Sequence, residues 1–411
     1  MNIFAAIVRW EVRYYLRRTS TWVYFAIFFA IAFLFMLALT GAFGETVVLG
    51  AGGKVKSNAP LTLAQILPII SLLGTSITAA LAGNALYRDY DAGIDPLIYT
   101  APLSKPAFLG GRFAGSLIIN AMVLIGIGAG AAIACLTPWA HPERLAPFDL
   151  GSYVRPYVTH IYPNLLLTAA IFFSLVSLTR QMLPNYVGGA VLLIGYLLAS
   201  SQMANIDNRW VGAMLDPFGM RAMRYTTEYW TIAEKNALLV PLSGMVLANR
   251  FAWIGIALGV FAIAYFRFSF SHATPQRAAT PVPPAPSGPI ILGAPVKLSD
   301  LPAVHREVGA RAGWVQFGSV ALRAFWRIVL NRYFGTIVIA GLLYLIVAAR
   351  AAGEIYGTTT WPVTYQMVEV LVGTFGIFLL VIIALYAGEV VWSERDAKIA
   401  GIVDATPVDT A

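Results

Sequence analysis

The sequence predicts an all-α integral membrane protein, and three observations carry that expectation. Apolar residues make up 58% of the 411 and charged residues only 12%, whereas soluble globular domains run at roughly 45–50% and about 25%. Several stretches of about 20 residues, enough for a helix to cross a hydrocarbon core about 30 Å thick, contain no charge. The excess of base over acid, a formal net charge of +8, gathers in alternate connecting segments, where Lys and Arg fix the orientation of membrane proteins. That origin makes a nucleic-acid partner unnecessary, and none is expected. Cys135 is the single cysteine, which excludes an internal disulfide or a cysteine-based metal framework.

Residues 2 to 20 form the first element. Arg9, Arg13 and Arg17 are four apart and share one side of a helix, while Trp10, Tyr14 and Tyr15 suit the headgroup region. Glu11 and Arg18 blur the opposite side. The expectation is an interfacial helix whose basic residues rest on anionic lipid. The apolar run Thr21 to Ala42 is too long for a signal-peptide core and ends without a small-residue cleavage site, so it reads as a retained span. Further spans are expected near 64 to 87, 113 to 135, 163 to 179, 186 to 204, 251 to 268, 335 to 350 and 364 to 390. With the N-terminus inside, 18 of the 28 Lys and Arg residues fall on the cytoplasmic side, which favours that topology. Segment 205 to 250, with Arg209, Arg221, Arg224, Lys235 and Arg250, runs against it.

Between 272 and 304, eight prolines from Pro275 to Pro302 sit among Ala, Ser and Gly, a composition that builds an extended linker and no packed core. The expected organisation is a first module at 1–270, a cytoplasmic linker at 271–312 and the start of a second module at 313–411. Short matches support it. Arg13, Leu16 and Arg18 recur as Arg327, Leu330 and Arg332, and Ala82, Gly83, Asp91, Ala92, Ile94 and Pro102 recur as Ala387, Gly388, Asp396, Ala397, Ile399 and Pro407. The chain therefore reads as one six-span module plus the opening two spans of another, with the remainder lying in a longer chain or a separate polypeptide.

Other signals carry less. Gly50 to Lys54 lacks the glycine and the Ser or Thr that a phosphate-binding loop requires. Gly126, Gly128 and Gly130 lie in an apolar stretch, where small residues allow helices to approach closely, and Asn120 reads as a helix-to-helix hydrogen bond. His141 beside Glu143 is a weak metal motif, and no Gly-x-Ser-x-Gly turn appears. No catalytic residue, metal or cofactor is expected in this chain.

The segment from Arg88 to Lys105, Arg-Asp-Tyr-Asp-Ala-Gly-Ile-Asp-Pro-Leu-Ile-Tyr-Thr-Ala-Pro-Leu-Ser-Lys, lies between the second and third expected spans. It resembles the first cytoplasmic loop of type-2 ATP-binding-cassette (ABC) exporter permeases. In that loop an acidic pair, a glycine and a Thr-Pro-aliphatic-Ser-basic ending surround a short coupling helix. Arg88, Asp89, Asp91, Gly93, Thr100, Pro102, Leu103, Ser104 and Lys105 fit the pattern, with Asp89 where glutamate is usual and Ile94 where threonine is usual. Glu394, Asp396 and Pro407 stand in the corresponding second loop. Leu215 to Gly219, Tyr229 to Thr231, Pro241 to Gly244 and Asn249-Arg250 further resemble a subgroup in which a doubled permease precedes a zinc aminopeptidase. None of His141, His160, His272 and His305 begins the HExxH of that peptidase, so its chemistry does not transfer.

The resemblance implies a permease in a bacterial inner membrane with a cytoplasmic N-terminus. Its partners would be lipid, a second permease half or another copy, and a separate ABC ATPase that holds the ATP. Asp89 and Asp91 are expected to cap the coupling helix or to pair with basic residues of that ATPase. The alternative is a membrane anchor or scaffold for a peptidase, without transport.

Overall fold

The computed structural model describes residues 3–44, 54–202, 208–270, 310–352, 354–355, 358–359, 361 and 363–396. The linker at 271–309, the Gly-rich segment 45–53 and Pro407 lie outside them, as do the side chains of Glu394 and Asp396. Regular structure among the described residues is helical apart from one short antiparallel pair, β1 (Glu354–Ile355) with β2 (Thr358–Thr359). Each expected span overlaps a helix, although the first extends past the end of α2 at Leu39 and residues 203–204 of the fifth lie outside the described residues. Four helical stretches are long and apolar enough to cross a membrane, or up to six if each of two bent pairs is one crossing. The chain falls into two units, Met1–Ser269 with Ile337–Val381, and Phe270–Thr336 with Ile382–Ala411.

In the first unit, α1 (Ile3–Leu16) and α2 (Thr19–Leu39) meet at a sharp elbow, where Arg18 is extended. The carbonyls at the end of α1 have no helical partner, and side chains of α2 supply one. Thr21 Oγ1 donates to Tyr15 O (2.8 Å) and Trp22 Nε1 to Leu16 O (3.0 Å). The helices α3 (Pro60–Leu73) and α4 (Thr75–Asp91) are bent by 52° across Gly74. A six-residue helix, α5 (Asp95–Thr100), then leads to the long α6 (Lys105–Cys135).

Glycines on α6 set how closely its neighbours approach. A Cβ at Gly115 would lie 2.5 Å from Cβ of Glu11 on α1, and one at Gly130 would lie 2.2 Å from the Phe29 carbonyl on α2. Two small-xxx-small pairs, Gly111 with Gly115 and Gly126 with Gly130, therefore seat two different helices by backbone-level packing. Gly128 has another role: its amide donates to the Tyr157 hydroxyl (2.8 Å), which donates to Leu124 O (2.8 Å). Among the described residues Asn120 makes no hydrogen bond across helices, contrary to expectation. Its Nδ2 donates to Ser116 O (3.0 Å), one turn back in α6.

Asp149 caps α7 (Leu150–Pro156) by accepting from the amides of Gly151 and Ser152. Pro156 offers no amide to the ladder, and the helix passes through one π-turn, Tyr157–Ile161, into α8 (Tyr162–Thr179). Next come α9 (Leu183–Gln202), the short α10 (Arg209–Leu215), α11 (Met220–Thr227) and α12 (Ile232–Ala237), and then α13 (Gly244–Arg267). Because α13 begins seven residues before the apolar run expected at 251, Arg250 belongs to a helix and is not a loop cation.

The connections sort into two groups. In one, Ser57 N donates to Arg144 O (2.8 Å), and Asn58 and Ala146 exchange two hydrogen bonds of 2.7 Å. There too, Asn236 bonds the backbone of Lys54 and Lys56, and Arg155 Nε donates to Val240 O (2.8 Å). In the other group, Lys105 Nζ reaches Phe266 O (3.5 Å), the Tyr99 ring meets Phe268, and Arg180 lies over Tyr90. The segments expected outside thus touch one another, and so do segments expected inside.

The second unit contains α14 (Ala310–Val329), which exposes Trp314, Phe317, Phe325 and Trp326. The next helix, α15 (Arg332–Ala352), and then α16 (Thr364–Asp396) each run from one unit into the other.

Candidate functional site

The residues of the Arg88–Lys105 segment gather where α4, α5 and α6 join, and α1 packs against the same place. Helical geometry turns the last inward residue of α4, Asp89, towards Arg112 on α6, and the face of α1 opposite its arginines presents Glu11. All three are buried, at 4%, 6% and 0% exposure. Glu11 Oε2 accepts from Arg88 Nη2 and from Arg112 Nη1 (3.3 Å), and Arg112 Nη2 donates to Asp89 Oδ2 (2.7 Å). Arg88 Nε lies 3.8 Å from Asp89 Oδ1, which closes a ring of alternating charge. Aromatic faces of α1 shield it, with the Arg88 guanidinium 4.6 Å from the Trp10 ring and 4.4 Å from that of Tyr14.

Burial pushes the Glu11 carboxyl up to about 7, outweighing the pull of Arg88 in the other direction. Glu11 lies on α1, which is not among the candidate crossings. Its Oε1 and Arg88 Nη1 are buried without a hydrogen-bond partner among the described residues.

The tip beyond this ring faces outward. Gly93 reverses the chain at φ +64°, a left-handed conformation open to glycine at little cost. Neither Asp89 nor Asp91 caps α5, contrary to one of the two roles expected of them. Ile94 is the N-cap residue and contributes no side-chain bond, and Asp95 supplies the negative charge in the first turn. Asp89 is engaged by Arg112, whereas Asp91 is exposed. Tyr99 anchors α5 by donating to the Tyr90 hydroxyl (2.8 Å) and by packing its ring on Phe108 and Phe268. Leu97 is left 74% exposed. Thr100, Pro102 and Ser104 are also exposed, Leu103 is half-buried, and Lys105 lies 4.7 Å from the Tyr265 ring.

Arg9 and Arg13 are exposed on α1, and Arg17 is exposed in the turn that follows it. The backbone of Glu394 and Asp396 belongs to the last turn of α16. The sequence pattern shows Glu11 only as a break in the basic helix and gives Arg112 no role. A usable signal was present: Glu11 and Tyr15 are four apart on the face away from the three arginines, and Arg112 adjoins Gly111.

A second buried polar cluster unites Leu215–Gly219 with Asn249-Arg250. Asn249 Nδ2 donates to the carbonyls of Ala213 (2.6 Å) and Asp216 (2.8 Å), and Arg250 Nη1 donates to Asn164 Oδ1 (2.7 Å). Gly219 is left-handed at φ +72°, and a Cβ there would lie 2.2 Å from Arg250 Nη2. The cluster ties the turn after α10 to α13 and α8. No group of three or more His, Cys, Asp or Glu placed to hold a metal ion occurs among the described residues. No protein-family model matches the chain, and no curated protein matches it either.

Proposed function

We propose that the chain is the membrane-embedded permease component of an ABC exporter, worked by a separate ATPase that docks on α5 and its flanks. The observation that carries this reading is the division of labour within Arg88–Lys105. Arg88 and Asp89 turn inward to lock α4, α6 and α1 together, while Asp91, Leu97, Pro102 and Ser104 remain on the outside. A small exposed helix on a stiff base suits the transfer of force from a soluble motor to several helices at once. The reading places α1 and α5 on the cytoplasmic side of a bacterial inner membrane and assigns ATP to the partner and no catalysis to this chain.

In the same reading, residues 1–270 form a six-crossing module and 313–411 open a second. Local geometry supports the parallel. In both places a helix stops one or two residues short of an arginine, Arg18 or Arg332, and an apolar helix of 21 residues follows. A second permease half or another copy would complete the translocation path.

The test is purification of the tagged chain from its native membranes. A nucleotide-binding subunit should co-purify, and Leu97→Asp combined with Asp91→Ala should lower its recovery about tenfold with the permease yield unchanged. Undiminished recovery, or nucleotide hydrolysis by the chain alone, would overturn the reading.

A further inference from the structure

A cleft of about 560 Å³ opens between α2, α3, α11 and α12, within the roughly 300–1,000 Å³ typical of small-molecule sites. It is built on one stripe of α3: Leu61, Thr62, Gln65, Ile66, Ile69, Ile70 and Leu73 follow helical periodicity and all line it. That stripe changes character along its length. Thr62 and Gln65 near the start give way to Ile66, Ile69, Ile70 and Leu73, with Ile31 and Phe35 of α2 facing them. At a rise of 1.5 Å per residue, Thr62 to Leu73 spans roughly 16 Å, about half of a hydrocarbon core of about 30 Å. The groove therefore runs along α3 for a length comparable to one leaflet, and Ile69 and Leu73 are each 53% exposed along it.

The polar end is also the cationic end. Met223 of α11 packs with Leu61 and Ala64, and Asn236 of α12 bonds the backbone of Lys54 and Lys56 just before α3. This brings Arg224 and Lys235, which line the cleft, to the start of α3. Glu228 lines it too, but its carboxylate is 2.8 Å from Arg209. Among the described residues neither Arg224 nor Lys235 has an ion-pair partner, so this end keeps an excess of positive charge.

We propose that this cleft is a binding site for an acidic phospholipid. One acyl chain lies along Ile66, Ile69, Ile70 and Leu73, and the phosphate is held by Arg224 and Lys235. An acyl chain gains little by leaving surrounding lipid for an equally apolar groove, so the selectivity must come from the headgroup charge. The site does not depend on the transport reading.

The test uses the purified full-length chain and native mass spectrometry, with an equimolar mixture of phosphatidylglycerol and phosphatidylcholine of identical chains. The wild type should retain the acidic lipid at least fivefold over the zwitterionic one. Arg224→Ala with Lys235→Ala should bring that ratio close to one, Arg224→Lys should preserve it, and Ile69→Trp should reduce retention of both lipids. All these positions are at least partly exposed, and an unchanged thermal midpoint of the lipid-free variants checks folding. The proposal fails if the wild type shows no preference, if the preference survives the double substitution, or if it follows Arg9 and Arg13 instead. It also fails if Ile69→Trp leaves retention unchanged or if a second copy of the chain occludes the cleft.

Discussion

Removing the Arg112 guanidinium would leave two buried carboxyls, Glu11 and Asp89, with Arg88 alone to balance them. Breaking one partner out of a buried ion pair costs about 3–5 kcal/mol, so Arg112→Leu should lower the unfolding free energy in detergent by about that amount. Adding Glu11→Leu removes one of the stranded charges and should recover part of the loss; strict additivity of the two changes would refute their coupling. The raised Glu11 pKa has its own signature. The folded chain holds a proton between about 4.5 and about 7 that the unfolded chain has released, so this group's contribution to stability falls as pH rises through that window. Glu11→Gln should make the fall shallower in a pH series of unfolding midpoints by removing this group's share of it. The charges facing Glu11 are Arg88, Arg112 and Asp89, with Tyr15 beside it. The sequence displayed Glu11 only as a defect in an amphipathic pattern, because its meaning depends on cations 77 and 101 residues away.

At the scale of elements, close helix approach rests on missing side chains. Gly130→Ala places a methyl against the Phe29 backbone carbonyl at 2.2 Å, and a backbone cannot step aside as a flexible side chain can. Overpacking of this kind costs typically about 1–3 kcal/mol, and Gly130→Ala should show it in thermal unfolding. Gly195→Ala, at a helical position with nothing within 4 Å among the described residues, serves as the control and should be neutral or better. The packing role of Gly126 and Gly130 was legible, since glycines in an apolar helix have few other uses. The opposite neighbours of Gly128 and Gly130 were not, because a two-residue rotation of about 200° separates Tyr157 from α2. Helix ends were poorly legible for a related reason: hydropathy reports the apolar centre of a helix, whereas Ser104, Asp149 and Ser243 mark where α6, α7 and α13 start. That is why Arg112 and Arg250 looked like loop residues.

For the whole molecule, the sorting of connections into two groups predicts sidedness. In a Cys135→Ser background, Leu97→Cys and Trp139→Cys, both well exposed, should react with an impermeant thiol reagent from opposite faces of sealed vesicles. Labelling from the same face would refute the alternating topology. Helical class and the order of the apolar segments were legible because lipid imposes one rule on every crossing. Which polar residues meet was illegible, since contacts between Glu11 and α6, or between Asn164 and α13, arise only from packing. The four charges at the base of α5 have one more consequence. They form a closed loop of links, so every member remains connected if a single link is cut. Sliding one helix past the others must sever at least two links together, and such a joint yields in a single step or holds.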